Sequence, residues 1–198
     1  MRVRPILTVA LAMTALVAPY AGAAPKPQIE DPAGDQRGSG DYDIVSVGFD
    51  VTKKAGKLKD LVVTFTLGSA PTMGSLPSYN LRGDVAGCGT FLLYSYTRAA
   101  GGMAPDHNLV FSGCGSETDP ATGDPEQALT PTAEIKGNAI IYTVKFAEMP
   151  KEIQKATFDA MTAWTAPAEP VVGYTVADFV DEGAFDSAAS TSSFKVGG

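Results

Sequence analysis

Acidic residues are the part of this sequence best suited to chemistry, and they fall in two groups. Asp31, Asp35, Asp41 and Asp43 lie within thirteen residues, separated by glycine, proline and serine, directly ahead of an alternating apolar pattern. Asp178, Asp181 and Asp186, with Glu182, form a second acidic stretch near the C-terminus. Two carboxylates about 4 Å apart repel by about 4 kcal/mol in a partly solvated setting. A hard cation removes that cost, and Ca2+ takes about six to eight oxygens from carboxylates and carbonyls. If the two groups flank the first and last strands of one domain, they can face a single ion. Asx-turns with a solubilising acidic patch are the alternative on the residues alone. An EF-hand is excluded, because D-x-[DN]-x-[DN]-G is missing and no helical pattern flanks either group.

Other chemistries fit less well. His107 is the only histidine and sits beside Asp106 in a glycine-rich stretch, where an exposed loop residue is expected. There is no G-x-S-x-G elbow, H-E-x-x-H, phosphate loop or dinucleotide fingerprint. Two thiols 26 residues apart and one histidine make no zinc site. A carboxylate pair for glycoside hydrolysis needs no sequence adjacency. Most acids here, however, fall in solvated loops, where a raised pKa is hard to arrange. The expectation is a non-catalytic protein, with a small carboxylate hydrolase as the distant alternative. Tyr79, Tyr94, Tyr96, Trp164 and Tyr174 are candidates for a sugar-stacking platform, against core or sheet packing. Trp164, in step with Phe158 and Ala160, is expected to be buried.

The first 23 residues have the pattern of a secretory leader. Arg2 and Arg4 precede an apolar run from Ile6 to Val17, and Ala21-Gly22-Ala23 offers a small-x-small cleavage site. The expected location is extracellular. Loss of 23 of the 198 residues leaves 175, enough for one domain with a sizeable core. Loss of Arg2 and Arg4 takes the formal charge from −7 to −9, which disfavours nucleic acid and anionic membranes as partners. In an exported chain the two cysteines, Cys88 and Cys114, are expected to pair. Closing a loop of that size stabilises by about 3.5 kcal/mol on chain-entropy grounds.

These groups need elements to hold them in place. Residues 24–29 are proline-rich and expected to be a flexible lead-in, with a single domain over 30–198. Val45, Val47, Phe49 and Val51 alternate with polar residues as in a half-buried strand. Leu61, Val63, Phe65 and Leu67 repeat the pattern, and a turn at Gly56 makes the two a hairpin. Further strands are expected over 79–83, 90–97, 109–112, 132–136, 139–146, 157–164, 171–176 and 193–196. In the strand over 157–164, Phe158, Ala160, Thr162 and Trp164 share one face. Pro150 to Lys155 suits one helical turn. Asp119-Pro120-Ala121-Thr122-Gly123-Asp124 echoes the opening Asp31-Pro32-Ala33-Gly34-Asp35 and raises a possible second metal site, against two unrelated turns. The expected fold is an all-β antiparallel sandwich with jelly-roll character, nine to eleven strands and at most one or two short helical turns.

Several stretches carry a family resemblance. They are Asp31-Pro32-Ala33-Gly34-Asp35, Asp43-Ile44-Val45-Ser46-Val47 and Val62-Val63-Thr64-Phe65-Thr66. Near the end, Phe185-Asp186-Ser187-Ala188 and Ser193-Phe194-Lys195-Val196-Gly197 belong with them. Together they resemble the DOMON-like and family-nine carbohydrate-binding-module-like β-sandwiches of actinobacterial secreted proteins. The resemblance implies a structural Ca2+ near the joined chain ends, with Asp31, Asp35, Asp43 and Asp186 at the matching positions. It also implies a binding module whose partner is a glycan or cell-envelope surface, with an interaction domain lacking sugar affinity as the alternative. It carries no sugar-binding or haem-binding residue onto this chain.

Overall fold

A computed structural model of the chain describes residues 26–36, 40–71, 78–96, 106–118, 125–166 and 186–197. Among the described residues are twelve strands in two antiparallel sheets, with no helix beyond the 3-10 turns Phe146–Glu148 and Ile153–Lys155. The expected all-β sandwich is therefore the fold. The leader, the strand expected over 171–176, the segment 119–124, Asp178, Asp181 and Tyr174 lie outside the described residues.

One sheet has the order β1-β2-β3-β9-β8, with β1 Ile29–Glu30, β2 Ile44–Lys54, β3 Lys57–Leu67, β8 Thr132–Lys136 and β9 Ala139–Lys145. The other contains β4 Ser78–Val85, β5 Gly89–Tyr96, β6 Asp106–Thr118, β7 Pro125–Leu129, β10 Thr157–Ala166 and β11 Asp186–Ala189. Its order is β11-β10-β4-β5-β6-β7, and β12 Phe194–Lys195 also pairs with β10. Alternation drives the assembly. Leu61, Val63, Phe65 and Leu67 of β3 are buried, as are Ile140, Tyr142 and Val144 of β9, and these rows face the second sheet. Between the layers, Phe158 packs on Phe49 and Phe91 with ring centroids 5.7 and 4.7 Å apart, and Phe194 of β12 stacks on Phe49 at 5.3 Å. The closing strand is thus tied to β2 through the core. The β2–β3 hairpin turns on Ala55 and Gly56, both at positive φ (51° and 75°), the conformation that a two-residue hairpin loop requires. Cys88 and Cys114 form the expected disulfide, with Cα atoms 5.2 Å apart, across the start of the β5–β6 pair.

Several details differ from expectation, each for a physical reason. The register of β2 shifts between Ile44 and Ser46, so Ile44 is fully buried and Val45 only half-buried. The register of β10 shifts between Asp159 and Thr162, with Ala160 at φ 45°. An irregularity that adds a residue flips every side chain beyond it. Phe158, Met161 and Ala163 therefore point inward and Ala160 is exposed. Trp164 is buried as expected, but outside the inter-sheet core. Tyr79 is also buried, against Phe65, so it offers no stacking surface. His107 is no loop residue. It lies in β6 opposite Ser95, half-buried, with its ring 5.5 Å from that of Tyr142. Ile29 is not the end of a flexible lead-in. It is fully buried, pairs with Val47 of β2 and bridges to Ser190.

Candidate metal centre

The N-terminal segment lies between the two sheets and is held from both sides. Gln28 and Asp31 donate their backbone N–H groups to Val47 and Val45 at 3.0 Å, while Thr191 donates its backbone N–H to Gln28 at 2.9 Å. The Gln28 side-chain oxygen accepts from the Phe49 N–H at 2.6 Å. This pairing fixes Asp31 at the edge of β2, where the acidic loop begins.

The end of that loop is fixed just as firmly. Four consecutive carbonyls are each taken by a different donor. Gly40 accepts from Ser69 N–H at 2.9 Å, Asp41 from the Tyr79 hydroxyl at 2.8 Å, Tyr42 from the Thr165 hydroxyl at 2.8 Å and Asp43 from Gly68 N–H at 2.9 Å. These donors come from the end of β3, from β4 and from β10. Thr165 also stands opposite Asp186 in the β10–β11 register. The same network therefore sets the loop and brings the C-terminal acid to it.

Carboxylate oxygens of Asp31, Asp35 and Asp186 come within 4.8 Å of one another. Oxygens around one Ca2+ at about 2.3–2.6 Å are at most about 5 Å apart, so all three fit one ion. Asp186 is buried. Its Oδ2 accepts from the Ile44 N–H at 2.5 Å and its Oδ1 from the Ser187 N–H at 2.8 Å. Asp43 stands behind the trio. It is 3% exposed, and its Oδ2 accepts from the Gly34 N–H at 3.0 Å, bracing the turn between Asp31 and Asp35. Asp43 Oδ1 is buried with no donor, and so are Asp31 Oδ2 and Gln36 Oε1. Buried polar atoms are nearly always satisfied by protein, water or an ion. The trio and these donorless oxygens of the same loop, one of them on Asp31 itself, are of the type that could hold a hard cation.

The electrostatics agree. Burial, and then the charges of Asp186, Asp35 and Asp43, push the Asp31 carboxyl from its ordinary 3.8 up to about 6. Asp186 is also raised, mainly by burial, with Asp35 and Asp43 adding to the effect while the Ile44 and Ser187 N–H groups oppose it. Without a counter-ion, negative charge is disfavoured here.

Of the four aspartates implied by resemblance, the structure gathers Asp31, Asp35 and Asp186 into the trio and places Asp43 against it, bonded to Gly34. Asp186 opens strand β11 rather than lying in a loop. Asp41 is buried with its carbonyl on Tyr79 and is not in the trio. Gln36 escaped sequence reasoning, since a glutamine one residue after an acid carries no distinguishing signal. Comparison with protein-family models, curated proteins and solved structures finds no match. The family resemblance therefore rests on the residues quoted for it.

Proposed function

We propose that this chain is an exported, non-catalytic β-sandwich module whose two chain ends are clasped by one Ca2+ ion. Asp31, Asp35 and Asp186 hold the ion, and Asp43 and the Gln36 carbonyl supply nearby oxygen. The observation that carries this reading is the convergence of three carboxylates within 4.8 Å beside buried oxygens that have no donor. Asp31 lies on the N-terminal segment and Asp186 on β11, so the ion closes the sandwich where beginning and end meet. The disulfide across β5 and β6 suits an oxidising compartment. Among the described residues no helix is long and apolar enough to cross a membrane. Calorimetric titration of chelator-treated protein with Ca2+ tests the reading. One site is expected in wild type and none in Asp31→Asn; heat-silent titration with an unchanged melting temperature would refute it.

One observation favours a second reading. Two carboxyls with raised pKa beside a third carboxylate also suit acid–base hydrolysis of glycosides. Polysaccharide hydrolysis that survives chelation and disappears in Asp31→Asn would select it.

A further inference from the structure

A groove of about 400 Å³ lies on the outer face of the second sheet, away from the acidic cluster. Register defines its two rows. Thr162, Arg82 and Leu92 stand side by side across β10, β4 and β5, and Asp84, Thr90 and Ser112 stand side by side across β4, β5 and β6. All six line the groove. Ala160, which the β10 irregularity places at the rim, is held at φ 45°. An alanine in the left-handed region is strained, and such strain concentrates at binding sites.

Arg82 is the informative residue. It is half-buried, and among the described residues its guanidinium makes no ion pair or hydrogen bond. Asp84 lies two residues along the same strand face, about 7 Å away in backbone terms, yet the two form no bridge. A planar guanidinium with its donors unspent suits a carboxylate approached edge-on, because two parallel hydrogen bonds then form. Around it are three hydroxyls, one carboxylate and the apolar Leu92. Hydroxyls and carboxylates exchange hydrogen bonds with ring hydroxyls, and Leu92 can cover C–H surface. A single cation on a chain of net charge −7 suits one carboxylate and not a polyanion.

We propose that this groove binds a carboxylated saccharide of the uronate class. Arg82 takes the carboxylate in a two-pronged bond, and Asp84, Thr90, Ser112 and Thr162 take ring hydroxyls. The inference adds a ligand surface to the proposed module and does not need the cation. The test is calorimetric and NMR titration with galacturonate, glucuronate and mannuronate trimers, alongside neutral xylotriose and glucose 6-phosphate. At least one uronate trimer should bind, with amide shifts confined to β4, β5, β6 and β10. Arg82→Gln should weaken it at least tenfold without lowering the melting temperature. Arg82→Lys should fall between, because the charge stays and the fork is lost. Three results would each overturn the proposal: no uronate binds, xylotriose or the phosphate binds as well, or Arg82→Gln leaves the affinity unchanged. The titrations are repeated in excess chelator, so uronate binding is read without the ion, and failure of the separate Ca2+ titration counts against the clasp while leaving the groove standing.

Discussion

Replacing Asp31 by asparagine should stabilise the metal-free protein and at the same time abolish its response to calcium. The first half follows from linkage. An acid raised from 3.8 to about 6 in the native state keeps a proton that the unfolded chain releases. The resulting penalty is absent below 3.8, grows as pH rises to about 6 and is complete above that. A shift of this size corresponds to about 3 kcal/mol at full strength. Asp31 is only partly buried, so solvent screening reduces the figure to about 1–2 kcal/mol. Asparagine keeps the shape and the backbone bond to Val45 while removing the charge. For a domain of this size 1 kcal/mol is about 2–4 °C. In excess EGTA at neutral pH, Asp31→Asn should melt about 3–6 °C above wild type, and near pH 4 the gap should close. Saturating calcium reverses the order. At a hundredfold excess over Kd, binding adds about 2.7 kcal/mol to wild type, or about 5–10 °C, and little to the variant. Scanning calorimetry at the two pH values, with and without calcium, reads all of these effects. The reasoning is refuted if the variant melts at or below wild type in EGTA, or if calcium raises both proteins equally.

Three further outcomes follow from the same contacts. Cys88→Ser with Cys114→Ser should lose about 3.5 kcal/mol of stability by denaturant titration, the loop-closure contribution of a 26-residue separation. Gly68→Ala should cost about 1–3 kcal/mol and weaken calcium binding, because a β-carbon there is driven into the Asp43 carboxylate that braces Gly34; unchanged affinity would remove Asp43 from the site. Ile29→Ala should cost about 2–5 kcal/mol, since that side chain is fully buried between the sheets; a surface-like effect below about 0.5 kcal/mol would return it to a lead-in.

Alternation made most of the fold legible, and breaks in alternation hid the rest. The pairs β2–β3 and β8–β9 could be read directly, because Leu61 to Leu67 of β3 and Ala139 to Val144 of β9 alternate without a break and Gly56 and Gly137-Asn138 mark the turns. Strands β1, β7 and β11, at two, five and four residues, are too short to establish a period of two. In β10 a correct strand carried the wrong faces beyond Asp159, because nothing in Asp159-Ala160-Met161 announces an irregularity. The acidic site was half legible. Its residue types are plain in the chain, but the meeting of Asp31 with Asp186 depends on Ile29 bridging to Ser190 across 161 residues. The groove was not legible, since Arg82 and Thr162 become neighbours only through sheet register.

How the carbonyls are spent decides which part of the protein a cation controls. From Gly40 to Asp43 every carbonyl already has a protein donor, and Asp186 has two backbone N–H groups on its carboxylate. That half of the site keeps its shape without an ion. The other half runs from Asp31 to Gln36, where two of the orphan oxygens lie and Asp43 supplies the side-chain brace at Gly34. Removing the ion should therefore loosen the N-terminal segment first and leave the sandwich intact. Hydrogen exchange in EGTA is expected to accelerate at the amides of Gln28, Asp31 and Gly34, whose bonds tie the segment to β2 and Asp43. Val63 and Phe65, in the middle of β3, should keep their protection. Uniform acceleration across both sheets would mean that the ion supports the whole core and not a clasp at its edge.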